Sequence, residues 1–207
     1  MNKKILLFGF SLIFAIGSYA QKFSFGVQGG FVIANSHIMH KPKTQGEDRR
    51  YYPLYTYSAN LYLGYKGKGN FGISMEPGYL RKGGHNRYYE YLDPGIKEVL
   101  DYAQLPILLD YYISNKFFVS IGPELAYLLK ASHDSRDQTY KYDNPFEISG
   151  LVAINYNIFS KLDVAIRYSH AFTYSKECMY YDLVGKAIYH DLKVYNQYFQ
   201  VLVRFKI

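Results

Sequence analysis

Five carboxylates and three strong bases in this chain recur at positions from which they could do acid–base chemistry. Glu76, Asp110, Glu124, Glu147 and Asp163 each fall on the polar side of a run in which apolar and polar residues alternate, and so do Arg167, Arg204 and Lys206. Paired carboxylates can pass protons to and from a substrate. The same residues can instead form a charge network inside a narrow interior, where every ion must meet a partner. No nucleophile–base motif accompanies them, so the sequence supports the structural network and assigns no catalytic residue.

Six histidines and one cysteine complete the inventory of reactive side chains. His37, His40, His85, His133 and His190 fall in long polar links, and only His170 falls in an alternating run. Imidazoles ligate Zn or Cu, but no pair has a strong metal-ligand spacing, so neither a metal nor a cofactor is expected. Cys178 has no second cysteine with which to form a disulfide. Without a supporting motif it gives no catalytic signal.

The elements that carry these residues are eight alternating runs. They read as strands at about Lys22–Ala34, Tyr55–Lys66, Phe71–Arg81, Glu98–Ile113, Lys116–Ala131, Pro145–Ile158, Lys161–Tyr174 and Lys193–Ile207. In each, one face is aliphatic and aromatic, such as Phe23, Phe25, Val27, Phe31 and Ile33 in the first. The other face mixes Gly, Ala, Ser and Asn with the few ions. The links alternate in length. Asn35–Leu54, Lys82–Lys97, Ser132–Asn144 and Ser175–Leu192 are long, whereas Gly67–Asn70, Ser114–Asn115 and Phe159–Ser160 are tight turns.

Antiparallel strands closed across a membrane have this spacing, with short turns at one end and long loops at the other. The expected fold is therefore all-β, an eight-stranded antiparallel up-and-down transmembrane β-barrel. A barrel of that size is just wide enough inside to be filled by side chains, which excludes a wide channel. The composition agrees, with 25 Tyr, 14 Phe and no Trp, since Tyr favours the membrane interfaces where barrels carry aromatic girdles. Pro77, Pro106 and Pro123 fall inside strands at similar heights. A closed ring has no free edge to hold them, so they predict a shared belt of irregular pairing.

The first 20 residues read as a secretory signal peptide, with Lys3 and Lys4 ahead of the apolar Ile5–Ile16 and a small-x-small site at Ser18-Tyr19-Ala20. Cleavage near Ala20 would leave a single barrel domain over residues 21–207. The formal net charge is +7, or +5 once Lys3 and Lys4 are removed, and acids are interspersed with the bases. That pattern points away from nucleic acid.

Tyr102-Ala103-Gln104-Leu105-Pro106-Ile107-Leu108-Leu109 resembles a strand common in the small outer-membrane β-barrels of Bacteroidetes called PorT-like. Gly122-Pro123-Glu124-Leu125-Ala126-Tyr127-Leu128 is similar to that strand's hairpin partner in the family. Arg167-Tyr168-Ser169-His170 resembles a further family strand, with His170 and Ala171 as departures, and Phe199–Ile207 resembles the closing strand. The resemblance spans nearly the whole mature chain. It implies a barrel in a Gram-negative outer membrane and implies no activity.

Together these readings describe a non-enzymatic, monomeric outer-membrane barrel with a side-chain-filled lumen. Its expected partners are outer-membrane lipid and other envelope proteins, reached through four external loops. Two alternatives stand beside it: a component of a type IX-like protein-secretion machine, and an outer-membrane enzyme acting on lipid.

Overall fold

The computed structural model describes residues 23–38, 50–87, 96–142, 144–181 and 187–207. The expected signal peptide and its cleavage site lie outside them. The described residues form eleven strand segments in chain order: β1 Phe23–Ile38, β2 Arg50–Lys66, β3 Phe71–Met75, β4 Gly78–Arg87, β5 Ile96–Tyr112, β6 Phe117–His133, β7 Arg136–Asp137, β8 Phe146–Phe159, β9 Leu162–Ala171, β10 Lys176–Tyr181 and β11 Ala187–Lys206.

Every neighbouring pair is antiparallel, and the sheet closes on itself. Each stave pairs with the next around the ring, and β11 returns to β1, with Gly26 opposite Lys206 and Ile38 opposite Val194. Since β3 and β4 are two halves of one stave, the ring has eight. The short segments β7 and β10 are additional. Each folds back on the loop-side end of a long strand, β7 on β6 and β10 on β11.

The alternation in the sequence becomes an inside and an outside. Along β8 the residues point in and out by turns: Glu147, Ser149, Leu151, Ala153 and Asn155 are buried, while Phe146, Ile148, Val152, Ile154 and Tyr156 are exposed. The same parity holds around the ring, so the apolar face is the outer one. A water-soluble barrel would invert this arrangement. Aromatic rings edge the apolar band on both sides. Phe23, Tyr65, Phe71, Tyr111 and Tyr156 lie near the short turns, whereas Tyr55, Tyr57, Tyr127 and Phe146 lie toward the loops. Phe23 packs tilted against Tyr65 with ring centroids 4.9 Å apart, and Phe71 likewise against Tyr111 at 5.2 Å, across neighbouring staves.

The three prolines do lie in one belt, but they cause no bulge. Pro77 separates β3 from β4, yet Met75 faces Ile107 and Gly78 faces Gln104, the same register on either side of the gap. Pro106 faces Glu124, and Pro123 faces Gly150. A proline lacks only the donor. Its carbonyl still accepts, as when Leu61 N donates to Pro77 O at 2.9 Å and Glu76 N to Pro106 O at 3.0 Å. Register shifts lie elsewhere, between Pro53 and Ser58 on β2, between Asp101 and Tyr102 on β5, and between Asn157 and Phe159 on β8.

The strands also run further toward the loops than expected. β4 continues to Arg87 through Gly83, whose φ is +135°. There a Cβ would come within 2.1 Å of Glu98 O. Glycine permits this close crossing, and it made Gly83-Gly84 look like the start of a loop.

A closed ring has no edge from which detergent can peel a strand. The folded protein, loaded unboiled on a detergent gel, should therefore migrate apart from the boiled chain. Coincident bands from a protein purified in the folded state would contradict ring closure.

Candidate functional site: the charged lumen and its mouth

All eight charged residues expected inside the barrel point inward. Glu76, Asp110, Glu124, Glu147, Asp163, Arg167 and Arg204 are buried, and Lys206 is about one-fifth exposed at the short-turn end.

Glu76 is the hub. Arg167 Nη2 donates to its Oε1 at 2.7 Å, and Arg167 Nη1 lies 2.5 Å from its Oε2. Arg204 Nη2 donates to Oε1 at 2.9 Å, and Gln28 Nε2 to Oε2 at 2.7 Å. One carboxylate thus receives two guanidinium groups and an amide from three staves. Arg204 also donates through Nε to Gln28 Oε1 at 2.9 Å, and its guanidinium lies 3.8 Å over the Tyr62 ring. Toward the short turns, Asp163 meets Arg204 at 3.5 Å and Lys206 at 2.9 Å. Asp110 is held by a hydroxyl instead, Ser120 Oγ at 2.5 Å.

Toward the loops the partners change. Glu124 takes no bond from Arg167. Its oxygens accept from the Tyr198 hydroxyl and, at 3.4 Å, from Ser169 Oγ. Glu147 pairs with Lys82 and accepts from Asn196 Nδ2 at 2.7 Å. The Lys82 ammonium also lies 4.4 Å over the Tyr102 ring. Lys82 lies where Gly83-Gly84 points to the start of a loop, and the structure instead carries the strand through it. The inward parity of Gly78 and Leu80 continues to it and was the available signal.

At the mouth, a third cluster gathers on Glu98. Lys176 Nζ, from β10, donates to both carboxylate oxygens at 2.6 Å. The Tyr142 hydroxyl donates to Oε1, and His133 Nε2 lies 3.8 Å away. Tyr142 follows the 3₁₀ turn Thr139–Lys141, so this carboxylate draws two loop segments toward the barrel axis. Neither Tyr142 nor Lys176 was legible, since both fall in stretches read as loop. Glu98 stands above the apolar band, on the loop side of the outward collar in which Arg81 Nε binds Asp101 at 2.6 Å. Burial pushes its carboxyl upward, but the nearby His133 imidazole and the Lys176 ammonium outweigh that and hold it at about 2.

Chemically this is a network in which each lumen carboxylate meets a cation, a hydroxyl or an amide, with Arg167 Nε buried and without a hydrogen-bond partner. Among the described residues no Ser, Thr or Cys is hydrogen-bonded to a histidine, and no group of three or more His, Cys, Asp and Glu stands close enough to hold a metal. The histidines fall at different places on the barrel. His133 joins the mouth cluster, while His37 and His170 meet on the outer face with ring centroids 5.2 Å apart. His40 and the side chain of His190 lie outside the described residues.

A family model, the outer membrane protein beta-barrel domain, matches residues 19–177. The chain belongs to this family. It is accordingly an outer-membrane β-barrel protein. Among solved structures, Neisserial surface protein A is similar over 88% of this chain and 97% of its own, at 16% identity and a TM-score of 0.52. OprG of Pseudomonas aeruginosa matches over 90% and 96%, at 13% identity and a TM-score of 0.49. Ail, the attachment invasion locus protein of Yersinia pestis, matches over 90% and 99%, at 7% identity and a TM-score of 0.47. No curated protein matches the chain.

Two outcomes follow from the geometry of this outer-membrane barrel. Glu76→Leu leaves two buried guanidinium groups short of their shared partner and should cost about 3–5 kcal/mol. Arg167→Met should cost less, since Arg204 and Gln28 still serve Glu76. Urea unfolding of the vesicle-inserted barrel measures both, and an equal or reversed order would deny Glu76 its central place. The second outcome concerns Glu98. A depressed carboxyl contributes stability above its ordinary value of 4.5, and this is lost as pH falls toward about 2. Lys176→Met should shrink the acid-induced fall in the urea midpoint across that window.

Proposed function

We propose that the protein is a non-enzymatic, monomeric barrel whose lumen is a rigid charged plug. Its external loops would be the working surface, binding other envelope proteins. The observation that carries this reading is the Glu76 hub. Its four contacts from Arg167, Arg204 and Gln28 cross the interior from three staves and fill the space a solute would need. The lumen carboxylates are engaged by cations, hydroxyls or amides and are not aimed at an open cleft. The loop end, by contrast, is built outward. The long strands extend beyond the aromatic girdle, and Glu98 gathers Tyr142 and Lys176 over the mouth.

In the same reading the first 20 residues are a signal peptide cleaved near Ala20, and residues 21–207 are the mature barrel. Kinship with the PorT-like barrels of Bacteroidetes is supported by the Tyr102–Leu109 and Gly122–Leu128 motifs. These form adjacent staves that pair through Pro106 and Glu124. The loops would face the cell exterior, as longer loops do in bacterial barrels.

Protease added to whole cells should cut first in the four long links, those joining β1 to β2, β4 to β5, β6 to β8 and β9 to β11, leaving the turn at Gly67–Asn70 intact. Crosslinking on intact cells, followed by capture of the barrel, should recover a partner whose crosslinks map to those links. Cleavage confined to the short turns would reverse the orientation. Crosslinks confined to the lipid face would remove the loops from the function.

A further inference from the structure

On the outer face of β6, β8, β9 and β11, the apolar band is concave. A groove of about 450 Å³ opens there, lined by Val119, Ile121, Val152, Ile154, Ile166, Tyr168 and Phe199. That volume falls within the roughly 300–1,000 Å³ usual for small-molecule sites. The register shows how it is built. One tier runs Ile121, Val152, Tyr168, Phe199 across the four staves, and the tier nearer the short turns runs Val119, Ile154, Ile166, Val201. Val152 and Ile154 make a floor. Ile121 stands on one side of it, and the Tyr168–Phe199 ring pair, with centroids 4.8 Å apart, stands on the other.

The next tier toward the loops runs Pro123, Gly150, His170, Gln197. Here the surface turns polar directly above the groove. Tyr168 Oη donates to Gln197 Oε1 at 3.2 Å and lies 3.4 Å from His170 Nδ1. The His37 ring lies 5.2 Å from that of His170, and His37 Nδ1 is buried without a hydrogen-bond partner. The Phe172 ring lies over Gly150 and roofs the β8 side, leaving the polar exit on the His170 side.

We propose that this groove holds one acyl chain of a phosphate-bearing lipid from the loop-side leaflet, with its head group hydrogen-bonded by His37 and His170. The groove faces hydrocarbon, so an acyl chain is the apolar molecule always at hand. It is concave and walled on both sides, which suits a chain, whereas a second barrel would offer a convex face. A chain lying in it leaves at the level where lipid carries its polar head. There the two imidazoles supply N–H donors to phosphate oxygens. The proposal rests on the barrel's place in the membrane and is independent of what the loops bind.

The test uses the full barrel in phosphatidylcholine vesicles, doped with phosphatidylglycerol that carries a photoreactive group at mid-chain. Labelled residues are mapped by mass spectrometry. Labels should concentrate on residues 150–168 over the opposite lipid face at Leu61, Leu63 and Ile73. Val152→Phe, which fills the floor, should lower the groove labelling about tenfold, equivalent to about 1.4 kcal/mol. His37→Leu combined with His170→Leu, which removes the N–H donors, should lower it as well, as should a diacylglycerol probe lacking the phosphate. The heat-shifted gel band verifies that each variant is folded, and the wild-type label map is decisive even where a variant is not. Labelling spread around the barrel in proportion to exposed area would overturn the proposal. So would crosslinks from groove residues to a second copy, or groove labelling indifferent to the head group and both histidines.

Discussion

The carboxylate of Glu76 is the constraint around which this barrel is organised. Closing eight strands into a ring leaves an interior too narrow for bulk water and too polar to pack as an oil-like core. Arg167 and Arg204 both enter that space and would be costly if either were alone. Glu76 accepts from both because guanidinium is planar and delocalised, so two can approach one carboxylate from different staves. Gln28 then ties one guanidinium to the carboxylate, donating to Glu76 and accepting from Arg204. Staves β1, β3/β4, β9 and β11 are thereby linked across the lumen as well as around it.

Most of the ring was legible in the sequence because a barrel wall has a period of two. Each stave must place lipid-facing and lumen-facing residues alternately, and Glu147 to Tyr156 does so without a break. Parity alone put all eight charged residues inside. It also set Arg167 and Glu76 at one height, since both can be counted from short turns of defined length. The pairing was less legible, because parity gives the side of the wall and not the partner. Glu124 accepts from Tyr198 and Asp110 from Ser120, through tilt and stagger that only the closed ring determines.

What was not legible lies toward the loops. There the strands rise above the hydrocarbon, and the outward face no longer needs to be apolar. Arg81 and Asp101 pair on the outside of the wall at that level. The alternation signal therefore fades although the strand continues. Lys82, Tyr142 and Lys176 all fall beyond that limit. Each acts through a buried carboxylate on another stave, a contact that leaves no local trace. The prolines show the opposite case. Their local rule predicted irregularity, but the ring kept its register because proline carbonyls still accept, as Pro77 and Pro106 do.

The wall and the lumen also explain each other's composition. An outer face in hydrocarbon must be apolar, which leaves the inner face as the one place for the polar side chains of the staves. Gly, Ala and Ser keep that face thin enough for Arg167, Arg204 and Lys82 to fit. The few ions hold together what the small residues cannot. A soluble barrel of the same size would gain its stability from a greasy interior. This one pairs its charges inside, where an ion left alone would be costly, and meets lipid outside. The polar contents are thus a consequence of the membrane, and they need no substrate to account for them. The loop end differs, because above the girdle the outward face is free of hydrocarbon and the wall can carry charges such as Arg81 and Asp101 on its outside.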